Sequence, residues 1–161
     1  MKQKNISIPF TEYSGEAELP ENIKKLVVEA KKSAANAYAP YSKFKVGTAV
    51  LLANGKIVTG NNQENSAYPS GLCAERVAIF YANAQYPNVA IKTIVIVAFQ
   101  QNDEVEHPVY PCGACRQVIL ESQGKQTSPI KLFFISKEKI HSVENASYLL
   151  PLEFDKESLN R

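Results

Sequence analysis

Val46-Gly47-Thr48-Ala49-Val50-Leu51-Leu52-Ala53, then Asn54-Gly55, then Lys56-Ile57-Val58-Thr59-Gly60, is the stretch that decides the fold. Asn-Gly between two apolar runs is a strong signal for a two-residue turn, so the stretch reads as a β-hairpin. Few polar residues interrupt Val46 to Ala53, and both faces of that strand are therefore expected to be covered.

Before the hairpin, Glu21 to Tyr38 reads as a helix, with Ile23, Leu26, Val27, Ala30, Ala34 and Ala37 at helical spacing and Pro40 closing it. Residues 1–20, broken by Pro9, Gly15 and Pro20, read as an irregular or strand-like arm. After the hairpin, Cys73 to Ala84 reads as a helix and Thr93 to Phe99 as a buried strand rich in Ile and Val. Cys112 to Ser122 is expected to be another helix, ended by Gly124. Ile130 to Ile135 follows as a strand and Lys139 to Val143 as a short last one, then a short helix over Glu144 to Leu150, stopped by Pro151. A hairpin followed by alternating helices and strands predicts the α/β class. The expectation is a three-layer α/β/α arrangement around a central mixed sheet of about five strands.

No repeat, low-complexity segment or linker divides the chain, so residues 1–161 are expected to form a single domain. At 45% hydrophobic, its 161 residues can bury a substantial core. A net charge of +2 and the lack of any dense Lys/Arg run argue against a nucleic-acid partner. Lys24-Lys25 and Lys31-Lys32 read as the wet side of a helix. The longest apolar run, Ile94 to Phe99, is far short of the ~20 residues that span a bilayer, which argues against a membrane partner. Met1-Lys2-Gln3-Lys4 is not followed by an apolar signal core, and three cysteines cannot all pair. Reduced thiols in the cytoplasm fit this best.

Those three cysteines all belong to two motifs, Cys73-Ala74-Glu75 and Pro111-Cys112-Gly113-Ala114-Cys115. Three thiols leave one position of a tetrahedral Zn²⁺ open for water, as in catalytic rather than structural zinc sites. Both motifs fall at helix starts, where the positive end of the dipole lowers thiol pKa values. Cys112 and Cys115 are three apart and share a helix face. Glu75 stands beside the open position, where a carboxylate moves protons. Arg76 and Arg116 follow on the same helices and offer positive charge to offset three thiolates. Other readings compete. A CxxC at a helix start is also a redox arrangement, although that leaves Cys73 and Glu75 without a role. A structural Cys₃His site needs His107 or His141, which both lie in polar, loop-like contexts expected to be solvated. Buried, inert cysteines are the third.

Cys-Ala-Glu followed by Pro-Cys-Gly-Ala-Cys resembles the zinc deaminase signature. Together with Tyr41-Ser42-Lys43-Phe44-Lys45-Val46-Gly47, Asn62-Gln63-Glu64-Asn65, Arg116-Gln117 and Leu149-Leu150-Pro151, it resembles the homotetrameric cytidine deaminases, in the family's order over roughly residues 20 to 154. The resemblance implies a cytidine deaminase-like fold and hydrolytic conversion of cytidine or 2′-deoxycytidine to the uridine nucleoside and ammonia. It implies one Zn²⁺ per subunit on Cys73, Cys112 and Cys115, with Glu75 as the proton shuttle. It further implies Phe44 stacked on the pyrimidine and Asn62 and Glu64 on the sugar hydroxyls. Backbone groups around Ala74 and Pro111 would hold the base edge and the amine. Tyr68 and Phe154 stand where family tetramers complete each pocket from a neighbouring subunit. Lys45 departs from the family's frequent Pro, and the arm and the acidic stretch Asn102 to His107 look longer than a minimal member needs. The rival functions are a related deaminase of small aminopyrimidines, such as blasticidin S, and a non-catalytic zinc module.

Overall fold

The structure is a computed structural model and describes residues 1–159. In chain order its elements are β1 (Thr11–Tyr13), α1 (Glu21–Ala35), β2 (Phe44–Leu52), β3 (Ile57–Asn61), α2 (Ala74–Gln85), β4 (Ile91–Gln100), β5 (Asp103–Glu104), α3 (Gly113–Gly124), β6 (Lys131–Ile135) and β7 (Ile140–Val143). Short 3₁₀ turns occupy Glu16–Glu18, Tyr68–Ser70, Ala146–Leu149 and Lys156–Leu159.

The hairpin forms, but its turn is longer than the two residues predicted: Leu51 faces Ile57 and the Leu52 N–H donates to Lys56 O at 2.9 Å, so Ala53, Asn54 and Gly55 make the connection. Val50 faces Val58 and Thr48 faces Gly60 across β2 and β3. Gly55 takes φ +82°, which glycine adopts without steric cost, and Asn54 Oδ1 accepts the Lys56 N–H at 3.1 Å. β2 also pairs antiparallel with β4 along its whole length, so it lies inside the sheet. β4 then pairs in parallel with β6, the strand reached through α3, and β6 pairs antiparallel with β7. The sheet runs β1-β7-β6-β4-β2-β3, with β5 attached to β4.

Seven strands therefore stand where about five were expected. The two additions come from the segments that looked surplus: Thr11–Tyr13 of the arm pairs with β7, and Asp103–Glu104 of the acidic stretch folds back on β4. Helix α1 stops at Ala35 rather than Tyr38, because Tyr38 leaves it to form a parallel bridge with Gln63. The helix expected over Glu144 to Leu150 is a single 3₁₀ turn, Ala146–Leu149, capped by Asn145 Oδ1 accepting the Ser147 N–H at 3.0 Å.

Period-two alternation divides the core between the two sheet faces. Ala49, Val95, Val97, Phe133 and Ile135 meet Leu26, Val27, Ala30 and Ala34 of α1. Val50, Leu52, Ile94, Ile96, Leu132 and Phe134 meet Ala78, Ile79 and Ala82 of α2 and Ile119 of α3. The α/β/α layering follows, and β2 is covered on both faces.

Two glycines set how closely the helices lie. A Cβ on Gly47 would stand 2.1 Å from Ala30 O, and one on Gly60 would stand 2.5 Å from Ala78 N and 2.6 Å from Ala74 O. Both contacts are backbone, which a rotamer change cannot relieve. Gly60→Ala should therefore lower the urea unfolding free energy by about 1–3 kcal/mol, the usual cost of overpacking; an unchanged unfolding midpoint would contradict this account.

Candidate metal centre and active site

Cys73 caps α2, Cys112 caps α3, and Cys115 lies in the first turn of α3. The two helices lie side by side on one sheet face, so their N-termini bring the three thiols together. Cys73 Sγ is 3.8 Å from Cys112 Sγ, and Cys112 Sγ is 3.6 Å from Cys115 Sγ. All three sulfurs lie within 4.8 Å of one another. A tetrahedral zinc with bonds of ~2.3 Å needs sulfurs ~3.8 Å apart, so the spacing fits that ion. A disulfide needs ~2.05 Å, and the three cysteines are free.

Neither histidine joins this cluster among the described residues. His107 is exposed and pairs with Glu138 at 3.3 Å. His141 departs from its expected solvated, loop-like setting: it lies on β7, largely buried, between Tyr110 and Glu12. A Cys₃His site is thereby ruled out.

The Cys73 thiol has its pKa lowered to about 5. A hydrogen bond with Cys115 is the main cause, followed by Arg76 and Cys112, against the opposing effect of burial. Cys115 is pushed up in turn, by the Cys73 hydrogen bond and then by burial. Arg76 Nη2 lies 3.9 Å from Cys73 Sγ and also donates to Gly71 O at 3.4 Å. Arg116 points elsewhere, donating to Pro111 O at 2.8 Å and Leu149 O at 2.9 Å. It shapes the backbone before Cys112 rather than facing the sulfurs. Glu75 is only 4% exposed, and burial pushes its carboxyl above the ordinary carboxylate range. Its own backbone N–H and Cys115 resist that rise, while the charge of Cys73 adds to it. A carboxyl so placed holds a proton longer than a surface glutamate does.

A groove of about 520 Å³ opens beside Cys73, lined by Tyr41, Ser42, Asn62, Glu64, Tyr68 and Arg76 among others. Asn62 Oδ1 accepts the Val46 N–H at 2.7 Å, and its Nδ2 donates to Phe44 O at 2.9 Å. Glu64 Oε2 accepts the Tyr41 N–H at 2.9 Å and the Ser42 N–H at 3.3 Å, and its Oε1 accepts the Ser42 hydroxyl. These bonds, the Ser42 hydroxyl foremost, hold the Glu64 carboxyl below its ordinary range. Both residues thus clip the 41–46 segment that carries the half-buried Phe44. Sequence reasoning did not single out Ser42, although its place between Tyr41 and Lys43 in the quoted motif was visible. Ala74 is fully buried beneath Gly60. Tyr68 is 78% exposed at the groove, edge-to-face with Tyr41 at 6.4 Å. Phe154 is 60% exposed and lines a different concavity, about 570 Å³, between the end of α3 and the C-terminal segment. That second hollow holds none of the thiols, whereas the first is lined in part by Cys73.

A model of the cytidine and deoxycytidylate deaminase zinc-binding region matches residues 20–129. The chain belongs to this deaminase family. A cytidine deaminase of Sporosarcina psychrophila is 43% identical over 139 residues, covering 86% of this chain and 96% of that one. A cytidine deaminase of Halalkalibacterium halodurans is 36% identical over 135 residues, 84% of this chain and 96% of its own. The crystal structure of cytidine deaminase from Burkholderia pseudomallei superposes with a TM-score of 0.69 at 36% identity, covering 81% of this chain and 98% of that one. The matched region is a zinc-binding one, and the spacing of Cys73, Cys112 and Cys115 fits one Zn²⁺. Arg76→Gln, which removes the guanidinium beside Cys73, should weaken zinc binding about tenfold in chelator competition; unchanged affinity would remove Arg76 from any role at the metal.

Proposed function

We propose that this chain hydrolyses cytidine and 2′-deoxycytidine to uridine and 2′-deoxyuridine with release of ammonia, as a cytoplasmic enzyme of pyrimidine salvage. The observation that carries the reading is a buried carboxyl, Glu75, beside three zinc-spaced thiols at the end of a groove that bears an amide and a carboxylate. Zinc, when bound to Cys73, Cys112 and Cys115, supplies a Lewis acid that brings the pKa of water toward neutrality. Glu75 takes a proton from the attacking water and delivers it to N3 of the pyrimidine, which makes C4 electrophilic. A C4–O bond forms and the C4–N bond breaks. Glu75 then takes the remaining proton from the new C4 hydroxyl, which becomes the carbonyl, and hands it to the departing amine, which leaves as ammonia. A carboxyl raised by burial suits both the accepting and the donating half of this work.

Asn62 keeps one N–H and one lone pair free, and Glu64 about one of its four acceptor sites, which together suit vicinal sugar hydroxyls. Phe44, held by the Asn62 clip, stacks on the pyrimidine, and backbone around Ala74 and Pro111 holds the base edge and amine. The groove's charged lining is Glu64 and the engaged Arg76, which favours a nucleoside over a nucleotide carrying phosphate. A homotetramer, with Tyr68 and Phe154 contributed to neighbouring pockets, accounts for two aromatics exposed in the single chain. No helix among the described residues is long and apolar enough to cross a membrane.

Loss of ultraviolet absorbance, followed with cytidine, deoxycytidine, cytosine, cytidine monophosphate and blasticidin S in parallel, tests the substrate. Only the two nucleosides should react. Glu75→Ala should keep its zinc and lose at least about 10²–10⁴-fold in kcat. A variant that retains near-normal turnover, or a protein inert toward both nucleosides, would overturn the proposal. Light scattering should give four times the chain mass.

A further inference from the structure

Cys112, the exposed member of the thiol cluster, follows a segment with little backbone support. The acidic stretch is tied to its neighbours at Val105 and Glu106, where Lys137 N and Glu138 N donate to their carbonyls. From His107 to Pro111, no backbone–backbone hydrogen bond is formed among the described residues. The His107–Glu138 pair, 3.3 Å apart and largely in solvent, holds the segment weakly. Arg116 grips Pro111 O from the helix side. Pro111 is buried, and Tyr110 just before it reaches across to the sheet.

The Tyr110 ring packs edge-on against Phe134 of β6 at 5.0 Å, and its hydroxyl meets His141 Nδ1 at 2.6 Å. His141 Nε2 is 2.9 Å from Glu12 Oε2, and Phe10 covers the imidazole at 4.8 Å between ring centres. Lys139 Nζ fixes the same carboxylate at 3.2 and 3.3 Å. Glu12 faces His141 directly in the β1–β7 register, so strand pairing positions the contact. His141 thus bridges the two groups, one ring nitrogen on the Tyr110 hydroxyl and the other on the Glu12 carboxylate. A carboxylate that orients an imidazole, which in turn holds another group, is a recurrent way of fixing geometry around a metal. Glu12 and His141 both lie outside residues 20–129, the part of the chain that the family region matches.

We propose that Phe10, Glu12 and His141 form a positioning clamp on Tyr110 that steadies the Pro111-Cys112 approach to the zinc. The arm is then part of the metal site's support rather than an appendage. The proposal rests on the three-thiol zinc site and not on the identity of the substrate, and its test needs no turnover.

Stopped-flow release of zinc from the loaded protein to a chromogenic chelator reads the clamp directly. Tyr110→Phe removes the hydroxyl and keeps the ring packed on Phe134; it should speed release about tenfold, in line with the effect of residues that orient metal ligands. Glu12→Gln keeps the shape of the side chain and should speed release several-fold. The double variant should release zinc no faster than Tyr110→Phe alone, because both changes break one chain of contacts. Unchanged release in Tyr110→Phe would overturn the clamp. So would a double variant whose acceleration is the product of the single ones, since independent structural damage behaves that way.

Discussion

The closeness of α2 to β3 is the constraint on which the metal centre depends. Without a side chain on Gly60, the backbone of Ala74 and Ala78 descends onto the strand to a distance that no Cβ would permit. That descent fixes where the helix begins, and with it the positions of Cys73 at the cap and Glu75 in the first turn. On the opposite face, Gly47 admits Ala30 and Ala34 of α1 in the same way. Thr48 faces Gly60 and Gly47 faces Asn61, so the two close approaches fall at adjacent rungs of one hairpin. Asn61 adds a stitch between the layers by donating to Ser33 O at 3.0 Å. The hairpin is held between helices, and the buried carboxyl of Glu75 inherits its place from a backbone contact.

The charge at the centre is managed by placement. Three sulfurs and Glu75 gather where two helices begin, so partial positive charge from both N-termini meets them. Arg76 adds a full charge beside Cys73, and its buried Nε has no hydrogen-bond partner among the described residues, a cost of holding the guanidinium there. The same crowding of negative charge that lowers the appetite of the cluster for further anions favours a proton on Glu75.

Much of this was legible in the residues. Asn54-Gly55 with its flanking apolar runs announced the hairpin, and the paired motifs at helix starts announced a shared metal, because both are local patterns. What escaped notice was non-local. The three residues of β1 and the two of β5 are too few to carry an alternation, and each becomes a strand only through a partner far along the chain. His141 looked like a solvated imidazole because nothing in its immediate neighbours names Glu12 or Tyr110. Arg116 sits one residue after a ligand, yet its side chain turns to two carbonyls, a direction set by the path of Leu149 rather than by spacing.

The pairing of β1 with β7 has a kinetic consequence. Glu12 and His141 are 129 residues apart, whereas the hairpin closes across the short connection Ala53-Asn54-Gly55. Loop-closure entropy makes such distant contacts late ones. During synthesis the arm leaves the ribosome before its partner strand exists, and it stays unpaired until Ile140–Val143 follows. All three cysteines have emerged by then. The metal site is therefore assembled from the middle of the chain outward, and the two ends close on it last.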